Sequence, residues 1–155
     1  MKVLFVCLGN ICRSPLAAAV FNHKIKEHKL NSLFQADSCG TGDYYIGGPP
    51  DYRTISTAQK NGVTISHKAR QLSEVDLIEF DHIFAMDKST EFNILRLPSA
   101  SEYHNKIRLM REYDPRGRGD VPDPYHGTEA DFQKVFEILD RSIEQFILEL
   151  KSTHH

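Results

Sequence analysis

Cysteine is scarce in this chain: three among 155 residues, an odd number, with two of them flanking a tight Gly-Asn turn. That pattern argues against a disulfide-stapled scaffold and points to a reducing, cytoplasmic setting with a working thiol. A surplus of either charge is also missing. Nineteen Lys and Arg against 21 Asp and Glu leave a formal net charge of -2. The balance excludes a dedicated nucleic-acid or membrane-surface protein, whose contacts need clustered cations. There is no long hydrophobic run. Met1-Lys2 is followed by only five apolar residues, Val3 to Cys7, far short of a signal segment or a membrane span. Neither an N-terminal glycine nor a terminal cysteine offers a lipidation site. Internal repeats, low-complexity tracts and interdomain linkers are lacking too; Asp114 to Pro122 is polar and Gly/Pro-rich but reads as a surface loop. The eight histidines show no paired ligand spacing with cysteines or carboxylates. Metal catalysis therefore finds no support, and no cofactor is expected.

What the chain does have suits one soluble domain. Hydrophobic residues make up 40% and charged residues 26%, enough to bury a core. A single domain over residues 1–153 is expected, a monomer by preference, with His154 and His155 set aside as a tag remnant. Val3-Leu4-Phe5-Val6 reads as a strand buried on both faces. Leu8-Gly9-Asn10 is a turn. Ser14-Pro15 then signals a helix start, with Ser14 as cap, and Ala17, Val20, Phe21 and Ile25 carry the helix to about residue 29. Further strands are expected at Leu33–Ser38, His82–Met86 and Ile107–Met110, and helices near 51–61, 73–79 and 89–96. Phe132 through Leu150 follows 3- and 4-residue steps, predicting a long final helix capped by Thr128. Strands alternating with helices imply a parallel open sheet with helices on both faces, an α/β three-layer sandwich.

The segment from Cys7 to Pro15, Cys-Leu-Gly-Asn-Ile-Cys-Arg-Ser-Pro, sits between that strand and that helix. Open α/β sheets place ligands at the carboxyl ends of their strands. Successive backbone N–H groups in such a turn form an anion nest, and the helix N-terminus adds partial positive charge. Gly9 and Asn10 are residue types that tolerate left-handed conformations. A cysteine thiol has a reference pKa of about 8.5, and helix N-termini or cations lower it by several units. Cys7 is thus the candidate nucleophile. Arg13 offers a planar fork for two phosphoryl oxygens, and Ser14 can donate its hydroxyl hydrogen to the thiolate. The plain alternative is that a strand-end cysteine is a small buried hydrophobe. Strand–loop–helix context weighs against it.

This segment resembles the signature of the low molecular weight protein tyrosine phosphatases throughout. Further matches are Tyr44 to Arg53, Ser66 to Gln71, Ala85-Met-Asp87 and Asp123-Pro124-Tyr125-His126-Gly127, in order and across essentially the whole chain. The resemblance implies a four-stranded parallel sheet and hydrolysis of phosphotyrosine proteins or small aryl phosphates through a phosphocysteine on Cys7. Arg13 would bind the phosphoryl group, with Leu8, Gly9, Asn10, Ile11, Cys12 and Ser14 completing the phosphate-binding loop. It also implies inhibition by phosphate-like oxyanions. Asp123 would be the general acid, since a tyrosine oxygen with a reference pKa near 10 leaves only with a proton. Read by itself, Asp123 is a turn aspartate before proline, and Asp120 is a competitor lacking only the following Pro-Tyr. By the same resemblance Ser38 and His67 would support Asn10, and Asp87 would lie near the loop or, on its own merits, cap the helix near Ser89. Tyr44, Tyr125 and His126 would wall the substrate cleft.

Three positions bear on specificity. His126 stands where many family members carry a second tyrosine, and Tyr45 and Gly48 fall in the loop that varies with substrate preference. Rival readings are weaker. Thioredoxin-coupled arsenate reductases share the fold but need two further mid-chain cysteines, and none follows Cys39. A silent phosphopeptide-binding module would keep Arg13 and typically lose Cys7 or Asp123. A redox role for Cys7 and Cys12 is compatible with phosphatase chemistry: a Cys7–Cys12 disulfide would protect the nucleophile from over-oxidation, the plain alternative being that Cys12 only packs beneath the loop.

Overall fold

In the computed structural model, described here for residues 1–153, the first strand runs as β1 over Lys2–Cys7; His154 and His155 lie outside the described residues. Val3, Leu4, Phe5 and Val6 are fully buried. Strand alternation sends Val3, Phe5 and Cys7 into one core cluster and Leu4 and Val6 into another, on the opposite face. β2 (Gln35–Gly40), β3 (His82–Ala85) and β4 (Ile107–Leu109) complete a parallel sheet in the order β2-β1-β3-β4. The four-stranded open sheet expected from the sequence is present.

Helices cover both faces. α1 (Arg13–Glu27), α2 (Tyr52–Lys60) and α6 (Glu129–Thr153) contribute Leu16, Phe21, Ala58, Leu139 and Phe146 to the first core. α3 (Glu74–Glu79), α4 (Lys88–Leu95) and α5 (Ala100–Tyr103) contribute Leu77, Ile94 and Ala100 to the second. Phe5 stacks on Phe84 at 5.8 Å between ring centroids, and Phe146 meets Phe84 edge-on at 4.8 Å. Each such fully buried side chain contributes about 1.5–3 kcal/mol, so the aromatic cluster is a main anchor of α6 to the sheet.

Two expectations need correction, and three short elements come in addition. β2 lies two residues beyond the Leu33–Ser38 span, because Lys2 pairs with Gln35 and Cys7 with Gly40, while Leu33 is half exposed. Ser14 does not cap α1: it lies inside the first turn, fully buried, and Cys12 occupies the cap position without a side-chain hydrogen bond. α5 and the 3-10 turns at His104–Lys106 and Met110–Tyr113 carry no periodic apolar signal and were not anticipated. Among the described residues, no helix is long and apolar enough to cross a membrane.

Candidate active site

β1, an interior strand, delivers Cys7 to the carboxyl end of the sheet, and the chain turns at once into the loop that opens α1. Asn10 makes the turn possible with φ at +58°. Gly9 does not share the left-handed conformation expected of it; its role is steric, since a Cβ there would come 3.1 Å from the Tyr45 ring.

The Asn10 side chain is 1% exposed and fully bonded. Its amide nitrogen donates to Ser14 Oγ at 2.8 Å and to Ser38 Oγ at 3.0 Å. Its oxygen accepts from the Arg70 backbone N–H at 3.0 Å and lies 2.8 Å from His67 Nε2. A backbone N–H only donates, so the carboxamide orientation is fixed, and His67 must carry its proton on Nε2. Burial pushes the His67 pKa down; nearby Asp37 opposes this and Arg70 adds to it.

Cys7 is 3% exposed, and its sulfur lies 2.9 Å from Ser14 Oγ. Ser14 accepts from Asn10 and lies 3.3 Å from the Cys39 carbonyl. Its one hydroxyl hydrogen is therefore available to the sulfur or to that carbonyl.

The Arg13 guanidinium is buried and held from behind. Nη1 donates to Asp87 Oδ2 at 2.6 Å and to the Val121 carbonyl at 2.9 Å. Burial alone would lower its pKa, but Cys7, Asp87 and Asp123 outweigh burial and raise it. Asp87 follows β3 and caps α4, accepting from Thr90 N–H at 2.7 Å. Burial would raise the Asp87 pKa; Arg13 and Thr90 bring it below the ordinary carboxylate value. Both expectations for Asp87, cap and neighbour of the loop, describe what it touches.

Asp123 arrives from the loop before α6. Its side chain is 54% exposed, and Oδ2 stands 4.0 Å from Arg13 Nη2. Oδ1 accepts from Tyr125 N–H at 3.1 Å. Asp120 is turned elsewhere, accepting from Lys88 N–H at 3.0 Å. Cys7, Leu8, Gly9, Ile11, Cys12, Arg13, Tyr44, Tyr45, Asp123, Tyr125 and His126 line one cleft of about 500 Å³. Tyr125 and His126 meet edge-on at 4.9 Å, and the Tyr125 hydroxyl beside Tyr45 raises the Tyr45 pKa. Burial pushes the Cys12 thiol up to about 12, so Cys12 remains protonated at neutral pH. A second concavity of about 480 Å³, between α1 and residues 62–67, is similar in size but contains no cysteine. Chemistry, not volume, distinguishes the two.

Some contributors were not legible. Arg53 chelates Asp51 through Nε and Nη2 at 3.0 and 2.8 Å, donates to the Tyr125 carbonyl at 2.9 Å, and lies 4.6 Å from the Phe132 ring centroid. It ties the Asp123 loop to α2 and α6. Arg53 and Arg70 both fall within the matched segments, but nothing in their spacing announced these contacts. Among the described residues, no group of three His, Cys, Asp or Glu side chains is arranged to hold a metal ion.

A cysteine, an arginine and a carboxylate thus line one cleft, and known proteins share the whole arrangement of the chain. The family described as "Low molecular weight phosphotyrosine protein phosphatase" matches residues 2–155. The phosphatase of that name from Gallus gallus is 42% identical over 147 residues, 94% of this chain and 93% of its own. The Homo sapiens protein is 40% identical over the same shares. A crystal structure of protein tyrosine phosphatase from Entamoeba histolytica, with Hepes in the active site, superposes with a TM-score of 0.94 at 38% identity, covering 100% of this chain and 99% of that one. On sequence and fold alike, this chain belongs to the low molecular weight phosphotyrosine protein phosphatase family.

Proposed function

We propose that this enzyme hydrolyses phosphotyrosine in proteins, and small aryl phosphates, through a phosphocysteine on Cys7. The observation that carries the reading is the shared cleft: Cys7, Arg13 and Asp123 all line it, with Arg13 Nη2 4.0 Å from Asp123 Oδ2. The Cys7 thiolate attacks phosphorus; the S–P bond forms as the P–O bond to the aryl group breaks. Asp123 gives its proton to the departing oxygen. Water then attacks phosphorus, Asp123 takes the water's proton, and the S–P bond breaks to release phosphate. Arg13 and the loop N–H groups neutralise charge on the phosphoryl oxygens in both steps. When Cys7 is ionised, its sulfur can only accept, so Ser14 Oγ, 2.9 Å away, is the donor of that pair.

The test is turnover of an aryl phosphate with chelator present. Cys7→Ser is expected to lose at least about 10⁴-fold in kcat while still binding vanadate-like oxyanions. Substantial residual hydrolysis would mean that the nucleophile is another group. Asp123→Asn is expected to lose about 10²- to 10⁴-fold on leaving groups as basic as tyrosine, and far less on highly activated aryl phosphates. An equal loss across leaving groups would assign Asp123 a structural role instead.

A further inference from the structure

The catalytic cleft has a neighbour. A groove of about 380 Å³ runs from Leu8 and Tyr44, which also line the cleft, past Thr41 and Gln71 to Asn93 on α4 and Arg96, which caps the end of that helix. The two concavities therefore share a wall. Tyr44 forms much of it, its side chain lying so close to Gly42 that a Cβ there would come within 2.4 Å of the ring. The wall exposes apolar surface on both sides: Tyr44 is 68% exposed and Leu8 44%.

At its far end the groove has a cation with no counter-ion. Arg96 is exposed, and among the described residues no carboxylate lies within ion-pair distance of it; its guanidinium rests 5.7 Å from the Phe92 ring centroid. Stacking on Phe92 restrains that cation. Arg13, Arg53, Arg70, Arg111 and Arg141, by contrast, are all paired with aspartates. Between the ends stand two carboxamides. Gln71 donates Nε2 to the Thr41 carbonyl at 3.2 Å, which leaves its oxygen outward. The Asn93 side chain makes no hydrogen bond with the described residues. Side-chain amides offer both a donor and an acceptor, the complement of an extended backbone.

We propose that this groove receives the polypeptide segment on one side of the phosphotyrosine, and that Arg96 selects an acidic side chain there. The inference rests on the reading of the adjoining cleft as a phosphotyrosine site. Continuity across Leu8 and Tyr44 lets a chain anchored by its phosphoryl group pass over the wall. A free arginine fork then rewards a carboxylate. The concavity on the other flank, which shares Asp123 and His126 with the cleft, holds Lys134 but also Asp131, whereas no carboxylate lines the groove of Arg96.

The experiment uses phosphotyrosine peptides in which a single glutamate or lysine is walked along both sides of the phosphotyrosine, with a small aryl phosphate as reference. An exposed pair is worth up to about 1 kcal/mol, and 1.4 kcal/mol is tenfold. The expected preference in kcat/KM is therefore about fivefold for glutamate, confined to positions on one side and shrinking in high salt. Arg96→Glu is expected to reverse it while leaving aryl phosphate turnover unchanged. An unchanged glutamate-to-lysine ratio in Arg96→Glu overturns the proposal. So does an equal loss on peptides and aryl phosphate, which would assign Arg96 to the fold. Absence of aryl phosphate turnover in the unmodified enzyme would overturn the reading of the cleft itself, and this proposal with it.

Discussion

Asn10 holds a left-handed backbone that costs an ordinary L-residue about 1–2 kcal/mol, and four hydrogen bonds to Ser14, Ser38, His67 and Arg70 stabilise it there. One of those partners titrates. The His67 pKa in the fold lies below its ordinary value of 6.5, burial being the main cause. A base with a depressed folded pKa binds its proton more readily when unfolded. Its contribution to stability is therefore complete above about 6.5, and is lost as pH falls from there through the folded value. Urea midpoints measured between pH 8 and 5 are expected to decline on the acid side, and His67→Gln is expected to flatten that slope. An unaltered slope would show that other groups carry it. Asp37, close to His67 Nδ1 at 3.9 Å, moderates the effect without reversing it.

Elements were legible where pattern and burial coincide. β1 and α6 declare themselves because their apolar residues face cores, and Phe132 through Leu150 are buried at the expected steps. β2 was displaced because its sequence, Gln-Ala-Asp-Ser-Cys-Gly, is mostly polar; backbone pairing with β1 sets its position, whereas the apolar pair Leu33-Phe34 lies outside it. The same limit governs the site. Cys7, Arg13 and Asp123 stand in compact motifs whose chemistry is carried by side chains. The Arg70 N–H and Val121 carbonyl are backbone groups brought in from 60 and 108 residues away, and backbone groups leave no mark in a sequence. At the start of α6, the expected Thr128 cap works through a partner. Asp131 Oδ2 accepts from the Thr128 N–H at 2.7 Å and from its hydroxyl at 3.2 Å. Asp131→Ala is expected to cost about 1 kcal/mol, a melting temperature lower by about 2–4 °C; no change would show that the helix start is held by packing alone.

Across the molecule, Asp114 joins distant parts. Its carboxylate is fully buried between Arg111, at 2.9 Å, and Arg141 of α6, at 2.8 Å. Burial would raise its pKa, but Arg141, the Arg116 N–H and Arg111 bring it below the ordinary value. Its stabilising contribution is thus present above the unfolded carboxylate value and fades as pH falls through the folded one. Asp114→Asn leaves two cations against a neutral amide and is expected to destabilise by about 3 kcal/mol, read as a lower urea midpoint with kcat on aryl phosphate unchanged. A loss of kcat would mean that this cluster also shapes the cleft.

The proposed nucleophile and the proposed acid are anchored to parts of very different depth. Cys7 ends the central strand, with its carbonyl accepting from Thr41 N–H and the Leu8 carbonyl from Gly42 N–H, both at 2.9 Å. Asp123 hangs from a loop fastened by Arg53 to the Tyr125 carbonyl and by a Gly127–Pro124 turn bond at 2.8 Å. In amide hydrogen exchange, Val3 to Val6 should therefore open only with global unfolding, and Tyr125 to Gly127 through cheaper local fluctuations. Mild denaturant would then dismantle the two halves of the reaction in sequence. The proposed proton donor would be lost first, leaving a protein that still captures oxyanions and accepts a phosphoryl group from good leaving groups, yet turns over phosphotyrosine slowly.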